Sequence, residues 1–193
     1  MKTLIIYAHP NTTGHCPAIL GEVKNKLKEK KQDYEVIDLY KIKYDPVLHE
    51  DEHYSSGNKN ITQQNKEFQN KIKKSNKLIF IYPVWWNSSP AILKGFIDRV
   101  FTSGFGFFYK NRMPHGLLNG KKAVVFVTSG APRLFFRLFE KDIAAKQMTE
   151  YTLKFCGINS RYWVIGNAMQ LNEKQKRKIA KKVGKGLNYL FNK

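Results

Sequence analysis

The sequence predicts a three-layer α/β fold, in which a five-stranded parallel sheet lies between two layers of helices. Five short β-rich runs alternate with helical patterns along the chain. The first, third and fourth runs are nearly continuous apolar segments, which is typical of strands covered on both faces. The chain has 193 residues and is 42% hydrophobic, so we expect one domain over residues 1–193 with a sizeable core.

The expected strands coincide with the β-rich runs, and each is followed by turn formers or by a helical pattern. Parallel neighbours need a crossover between them, and such crossovers are right-handed. The five strands are TLIIYA (3–8), YEVIDLY (34–40), KLIFIY (77–82), KAVVFVT (122–128) and RYWVIG (161–166).

Helical periodicity fills the segments between these strands. Apolar residues recur three or four positions apart, which places them on one face of a helix. The segment PAILKGFIDRVF begins with a proline, a residue favoured in the first turn of a helix. We expect helices over 19–27, 61–72, 90–101, 138–155 and 179–190.

Composition and charge indicate which partners and which compartment to expect. The formal net charge is +19, which favours anionic ligands. The lysines of 24–31 and 173–182 alternate with apolar residues at helical spacing, so they indicate solvated helix faces, and we expect no nucleic-acid partner. The first apolar run ends at His9, too early for a signal peptide, and no run is long enough to insert in a membrane. The two cysteines suit a reducing, cytoplasmic compartment.

The stretch HEDEH, residues 49–53, matches the H-E-x-x-H pattern of zinc proteases. That chemistry needs a helix that aims both histidines at the metal. Between the histidines lie only acidic residues, which give a helix no apolar face to bury, and the turn formers of 55–58 follow. We therefore predict no metal site.

Ligands of parallel α/β sheets bind at the carboxyl ends of the strands, where the strand order reverses. The loop after the first strand, HPNTTGHCPA (9–18), offers Thr13 and Gly14 for backbone contacts to a phosphate, and His9 as a hydrogen-bond partner. It matches neither the G-x-G-x-x-G nor the Walker pattern. An ordinary capped turn is the alternative.

The loops after the third and fourth strands suit a flat ring. The first of them, YPVWWNSSPAILKG (82–95), holds two adjacent tryptophans and an asparagine, although packing over the core is an alternative role. The second, TSGAPR (128–133), has small residues that allow close backbone approach. In the strand order 2-1-3-4-5 all three loops are neighbours, which points to a flavin nucleotide.

Several longer motifs resemble one known family, the flavodoxin-like NAD(P)H:quinone oxidoreductases, nearly from end to end. The family includes two-electron quinone reductases and the ancillary subunits of bacterial potassium-efflux systems. The motifs are LIIYAHP (4–10), YPVWWNSSPAILKGFIDRVF (82–101), SGFGFFY (103–109), VTSGAP (127–132) and LKFCGI (153–158).

The resemblance implies a flavodoxin-like fold with strand order 2-1-3-4-5 and a bound flavin. It implies that NAD(P)H, as co-substrate, and a quinone-like acceptor react in turn, in a ping-pong cycle. It also implies a homodimer. FMN and FAD both occur in the family, and the short segment after the fifth strand favours FMN, with FAD as the alternative.

The loop patterns and the resemblance together predict which residues contact the ligands. The segment around Phe107 and Tyr109 is expected to face the partner subunit's flavin, and Arg133 to meet a cofactor phosphate or an acidic substrate. Phe136 stands near the place of the tyrosine that handles protons in mammalian-type members, so no catalytic residue is assigned. The predicted flavin contacts are His9, Thr13, Gly14, His15, Cys16, Pro83, Val84, Trp85, Trp86, Asn87, Thr128, Ser129, Gly130 and Ala131.

Two other functions remain open at this point. One is a regulatory flavoprotein subunit that activates a potassium-efflux transporter. The other is a flavodoxin-type electron carrier, against which stand the missing T-x-T-G-x-T phosphate loop and the net charge of +19, because such carriers are usually acidic.

Overall fold

A computed structural model, which describes residues 2–53 and 60–192, shows a five-stranded parallel sheet in the order β2-β1-β3-β6-β7. Two further strands form a separate antiparallel hairpin. The predicted fold class is therefore confirmed, with β6 and β7 as the fourth and fifth strands of the sheet. The strands are β1 (Thr3–Tyr7), β2 (Tyr34–Asp38), β3 (Lys77–Pro83), β4 (Phe107–Lys110), β5 (Met113–Gly116), β6 (Lys122–Thr128) and β7 (Asn159–Ile165).

The central strands are buried on both faces, as their continuous apolar runs predict. Alternate residues of β1 enter opposite cores: Leu4 and Ile6 pack on one side of the sheet, and Ile5 and Tyr7 on the other. This alternation follows from the two-residue period of a strand. Because both faces need cover, the strands carry no polar side, and helices must pack above and below the sheet.

Within residues 2–53 and 60–192, six α-helices cover the sheet. The first and the last pack together over one face, while the others cover the opposite face. The helices are α1 (His15–Glu29), α2 (Gln63–Lys74), α3 (Ala91–Val100), α4 (Arg133–Leu138), α5 (Ile143–Lys146) and α6 (Glu173–Phe191). A short 3-10 helix (Glu50–Glu52) and a π-helical segment (Gln147–Leu153) complete the described elements.

The single helix expected over 138–155 is wrong. The chain turns between α4 and α5, where Lys141 and Asp142 have φ angles of 51° and 56°. Asp142 is buried and accepts hydrogen bonds from Arg133 at 2.8 and 2.9 Å and from the Tyr162 hydroxyl at 3.0 Å. These long-range bonds hold the left-handed turn, and helical periodicity alone gives no sign of them.

One of the two glycines of α6, Gly186, has a packing role. A Cβ atom at Gly186 would lie 2.5 Å from the ring of Phe126, so α6 approaches the sheet more closely than any larger residue allows. Glycine normally destabilises a helix interior by about 1 kcal/mol. Here the close packing of α6 on β6 offsets that cost.

The HEDEH stretch is anchored to α3 by an ion pair. Glu52 accepts hydrogen bonds from the Arg99 guanidinium at 2.7 and 2.9 Å, and both side chains are buried. The His49 ring contacts the Asp45 carboxylate at 2.8 Å. The residues that follow, 54–59, lie outside the described part of the chain, and within that part no cluster of three His, Cys, Asp or Glu side chains is arranged for a metal ion.

Candidate functional site

The loops after β1, β3 and β6 meet at the carboxyl edge of the sheet and are bonded to one another. Ala8 donates from its backbone N–H to Ile81 at 3.0 Å, and Val84 donates to the carbonyl of Thr128 at 2.8 Å. The Cys16 thiol and the Thr128 hydroxyl are 3.4 Å apart in a buried contact. The three loops predicted from the sequence therefore form one continuous surface.

The loop after β1 leads directly into the N-terminus of α1. Gly14 has φ 106°, a conformation that other residues rarely adopt, and it sets the direction in which α1 begins. His15 is 6% exposed, and its buried Nε2 atom has no hydrogen-bond partner within the described part of the molecule. A buried nitrogen of this kind normally has a partner, and an anion at the start of α1 would provide one.

His9 and Thr13 belong to the same loop. The Nδ1 atom of His9 accepts a hydrogen bond from the backbone N–H of Asn11 at 3.0 Å, which fixes the ring. Its centroid lies 6.4 Å from that of Trp85, so the loops after β1 and β3 are in side-chain proximity. Thr13 is exposed beside Gly14.

The loop after β3 is strained and carries the most exposed tryptophan of the described chain. Trp86 and Asn87 have φ angles of 50° and 53°, the left-handed region that costs an ordinary residue about 1 kcal/mol or more. Trp85 and Ser88 exchange backbone hydrogen bonds at 3.1 and 3.0 Å, which close the turn around them. Trp86 is fully exposed.

Asn87 gives a second unsatisfied polar atom at this edge. Its Oδ1 atom is buried, and no hydrogen-bond donor for it exists among residues 2–53 and 60–192. Strain, an exposed aromatic ring and an orphaned acceptor in one turn are typical of a loop that binds a ligand. Pro83 ends β3 and Val84 continues the chain into this turn.

The loop after β6 is held by the segment that follows β7. Ser129 donates to Ile165 at 3.0 Å and accepts from Ala168 at 2.9 Å through its backbone, and Asn167 donates to the Ala131 carbonyl at 3.0 Å. A Cβ atom at Gly130 would lie 3.3 Å from the Met169 sulfur. These hydrogen bonds fix the path of the loop, in which Thr128 and Ser129 are buried and Gly130 is exposed.

The Cys16 thiol is a packing group beneath this surface. It is 1% exposed, and burial raises its pKa to about 12 despite the hydrogen bond with Thr128. A thiol with that pKa stays protonated at neutral pH and is a weak nucleophile. Its contact with Thr128 instead fixes the β6 loop to the start of α1.

Two residues of α6 belong to the site and were missed from the sequence. Lys178 donates to the Gly166 carbonyl at 2.9 Å, and burial and then the positive charge of Lys178 lower the pKa of His15. Gln175 donates to the Asn167 carbonyl at 3.0 Å and so positions the loop after β7. Both stand in an ordinary lysine-rich helical pattern more than 150 residues after the loop that follows β1, so periodicity gives no signal for them.

The three predicted substrate-pocket residues lie apart from the loops after β1, β3 and β6 or are already bonded. The guanidinium of Arg133 is engaged with Asp142 in the bidentate pair described above. Phe107 packs edge-on against Phe155, with centroids 4.8 Å apart, and lines a largely apolar cavity of about 310 Å³ beside α3. Tyr109 is exposed on the hairpin.

The site therefore offers four features to a ligand: a helix N-terminus with a buried imidazole, a nearby lysine, an exposed indole, and backbone groups of two rigid loops. The first two suit a phosphate, and the others suit a flat, polar-edged ring. A flavin mononucleotide carries both groups, and the orphaned atoms of His15 and Asn87 fit it.

A family model described as flavodoxin-like fold matches residues 1–190, and the chain belongs to that family. The resemblance drawn from the motifs is thus confirmed. The chain is 28% identical over 180 residues to an uncharacterized NAD(P)H oxidoreductase of Haemophilus influenzae, a match that covers 92% of this chain and 89% of the relative.

Solved structures are similar throughout the chain. The NAD(P)H:quinone oxidoreductase from Methanothermobacter marburgensis aligns with a TM-score of 0.83 and 25% identity, over 98% of this chain and 96% of that one. An FMN-dependent NADH-azoreductase from Bacillus anthracis, solved with FMN, aligns with a TM-score of 0.79 over 99% of both chains. Its identity of 22% shows the shared fold alone.

Proposed function

We propose that this protein is a single-domain NAD(P)H oxidoreductase that binds FMN at the carboxyl edge of the sheet and reduces quinones or related two-electron acceptors. The observation that carries this proposal is the bonding of three loops into one surface that leaves His15 Nε2 and Asn87 Oδ1 unsatisfied. The names of the relatives, NAD(P)H oxidoreductase and NAD(P)H:quinone oxidoreductase, support the reaction class.

Each part of the surface has its own binding role. The backbone N–H groups at the start of α1, with His15 and Lys178, would hold the phosphate. Trp85 and Trp86 would pack along the ring, and the backbone of Thr128–Ala131 would contact its polar edge. When bound, the flavin supplies the hydride relay, so that NAD(P)H and the acceptor use one pocket in turn.

The chain's own contribution to the chemistry is binding, orientation and charge. The N–H groups of α1 and the positive charge of Lys178 stabilise an anion at one end of the site. Hydrogen bonds across the loops after β1, β3 and β6 would hold the ring-binding and phosphate-binding groups of the chain at a fixed separation. We assign no proton-transfer residue, because the position expected for a tyrosine holds Phe136, which is buried.

The proposal includes a homodimer in the cytoplasm in which the hairpin with Phe107 and Tyr109 completes the partner subunit's pocket. The exposure of Tyr109 and the apolar cavity beside Phe107 support it. Light scattering of the purified protein checks the mass, and Tyr109→Ala should raise KM for the acceptor while FMN content stays unchanged. A monomeric active enzyme would remove this part of the proposal.

The first experiment is a visible spectrum of the purified protein, followed by heat release and chromatography of the chromophore. We expect FMN, and release of FAD would correct the cofactor. A colourless protein that takes up neither flavin would overturn the proposal. Parallel double-reciprocal plots with NADPH or NADH and a soluble benzoquinone would establish the ping-pong order.

A matched pair of variants then tests the position of the flavin. Trp86→Ala should retain less FMN, because an exposed indole that contacts only the ligand is removed. Val47→Ala changes another exposed apolar residue, outside the site, and should purify with the FMN content of the wild type. Equal FMN content in both variants would exclude Trp86 from the site.

A further inference from the structure

An unusually apolar surface lies beside the candidate site. Four large side chains of α4 and the residue after it are exposed by 45% or more: Leu134 at 66%, Phe135 at 45%, Leu138 at 59% and Phe139 at 71%. The rings of Phe135 and Phe139 stack with centroids 4.8 Å apart. Soluble surfaces rarely place so many large apolar groups together without a partner that covers them.

This surface is held in place by the structure beneath it. Phe136 points inward and is completely buried in the core under the sheet. Arg133, at the start of α4, is clamped to Asp142. The short helix is therefore fixed at both ends, and the exposure of the four apolar side chains is a stable feature of the fold.

The exposed charges beside the apolar side chains are positive, although the half-buried Glu140 lies between Phe139 and Lys141. Arg137 and Lys141 are exposed in the same short segment. Lys182 of α6 lies within electrostatic range of Arg133, the first residue of α4, since burial and then the charges of Arg133 and Lys178 lower its pKa to about 8. An anionic surface would relieve the repulsion among these cations.

We propose that the α4 patch, defined as Leu134, Phe135, Leu138 and Phe139 with the flanking Arg137 and Lys141, docks the protein on an anionic lipid bilayer. Its combination of apolar side chains with a basic border is typical of elements that lie in the membrane interface. Basic residues near an anionic membrane surface add electrostatic attraction to the burial of the apolar side chains. This is peripheral docking, since no described helix is long and apolar enough to cross a bilayer.

A second copy of the chain fits the patch less well. In a two-fold dimer the same surface meets itself, so the basic border of one copy would face that of the other. The chain has a net charge of +19, which adds to that repulsion. An anionic bilayer buries the apolar side chains and neutralises the cations together.

The position of the patch has a consequence that rests on the proposed function. α4 begins two residues after Ala131, which is the last predicted flavin contact of the β6 loop. A docked protein would hold this edge of the site at the membrane surface, where acceptors dissolved in the bilayer are concentrated. The acceptor class would then be lipid-soluble quinones.

The test is co-sedimentation of the full-length protein with vesicles of phosphatidylcholine, with and without phosphatidylglycerol. We expect binding only to the anionic vesicles. Leu138→Gln/Phe139→Gln should lower the partition coefficient by at least about tenfold, because two apolar side chains no longer enter the interface. Ile42→Gln/Val47→Gln removes two other exposed apolar residues, at 41% and 57%, and should bind like the wild type.

A charge pair keeps the test decisive if the apolar variant folds poorly. Arg137→Gln/Lys141→Gln should bind anionic vesicles several-fold more weakly than Lys28→Gln/Lys30→Gln, which has the same net charge but changes exposed residues near the end of α1. Equal binding of patch and control variants would overturn the proposal, as would equal binding of the wild type to both kinds of vesicle.

Light scattering without vesicles examines the competing occupant. If Leu138→Gln/Phe139→Gln halves the mass of the wild-type particle, the patch is a subunit interface and the membrane proposal is wrong. An unchanged mass with weaker vesicle binding supports docking. Neither result depends on FMN or on activity, so the docking proposal and the proposed function fail separately.

Discussion

The interior of the sheet and its carboxyl edge follow opposite rules. In β1, β3 and β6 nearly every side chain is buried and apolar. At the edge, Trp86 is fully exposed, two residues of one turn are left-handed, and buried atoms of His15 and Asn87 lack partners among the described residues. The buried interior supplies the stability of the fold, so the edge can retain strain and unsatisfied groups that a bound ligand would relieve.

Removing an aromatic ring should lower the free energy of unfolding much more in the interior than at the carboxyl edge. Phe126→Ala takes a completely buried ring from β6 and should lower the free energy of unfolding by about 4 kcal/mol, as for other buried phenylalanines. Trp86→Ala should change it by less than about 0.5 kcal/mol, because the ring packs on nothing in the flavin-free protein. Urea denaturation of both flavin-free variants measures the two losses in free energy of unfolding. Similar losses would contradict the difference between the interior and the edge.

The buried ion pair between Arg99 and Glu52 should also contribute to the stability of the fold. Arg99→Met leaves Glu52 buried without its cation and should cost about 3 kcal/mol. Adding Glu52→Gln should restore part of that loss, since the uncompensated charge is gone. Urea midpoints of the single and double variants give the answer. If the double variant is less stable than Arg99→Met, the ion pair does not explain the loss.

Relieving the backbone strain at Asn87 should raise the stability of the flavin-free protein and weaken its binding of FMN. Asn87→Gly removes a left-handed asparagine, φ 53°, and should stabilise the flavin-free protein by up to about 1 kcal/mol. It should also weaken FMN binding, because the unsatisfied Oδ1 acceptor is lost. Fluorescence titration with FMN and urea denaturation measure the two effects.

Lys31→Gly is the matched control, because Lys31 has φ 50° in the turn between α1 and β2, at the opposite edge of the sheet. It should gain similar stability with unchanged FMN affinity. Weaker FMN binding by Lys31→Gly would show that the Asn87 result reflects a general change in the protein.

The same division explains how much could be predicted from the sequence. The apolar runs of β1, β3 and β6 carry their own signal, because burial on both faces dictates their composition. The site loops were located because strand ends converge in such sheets. Lys178, the Arg133–Asp142 clamp and the break between α4 and α5 depend on contacts between distant segments, and no local pattern encodes them.

The smallest effect we expect concerns the charge of His15. Burial and the charge of Lys178 lower its pKa, so below pH 6.5 or so, the ordinary value, the folded state binds fewer protons than the unfolded state. The neutral His15 imidazole therefore makes its full contribution to stability above that pH, and this contribution declines as the pH falls toward the pKa of His15 in the folded state. Urea denaturation of the flavin-free protein at about pH 7.5 and 5.5 should show this loss, and His15→Gln should show less of it.

Binding of the FMN phosphate provides a second test of the prediction for His15. An anion at the start of α1 would favour the protonated imidazole and raise its pKa, so saturating FMN should reduce the loss of stability at acid pH in the wild type. His15→Gln should show no such change in pH dependence on binding FMN. If FMN leaves the wild-type pH dependence unaltered, the phosphate does not lie beside His15, and the orientation of the ligand in the site must be reversed.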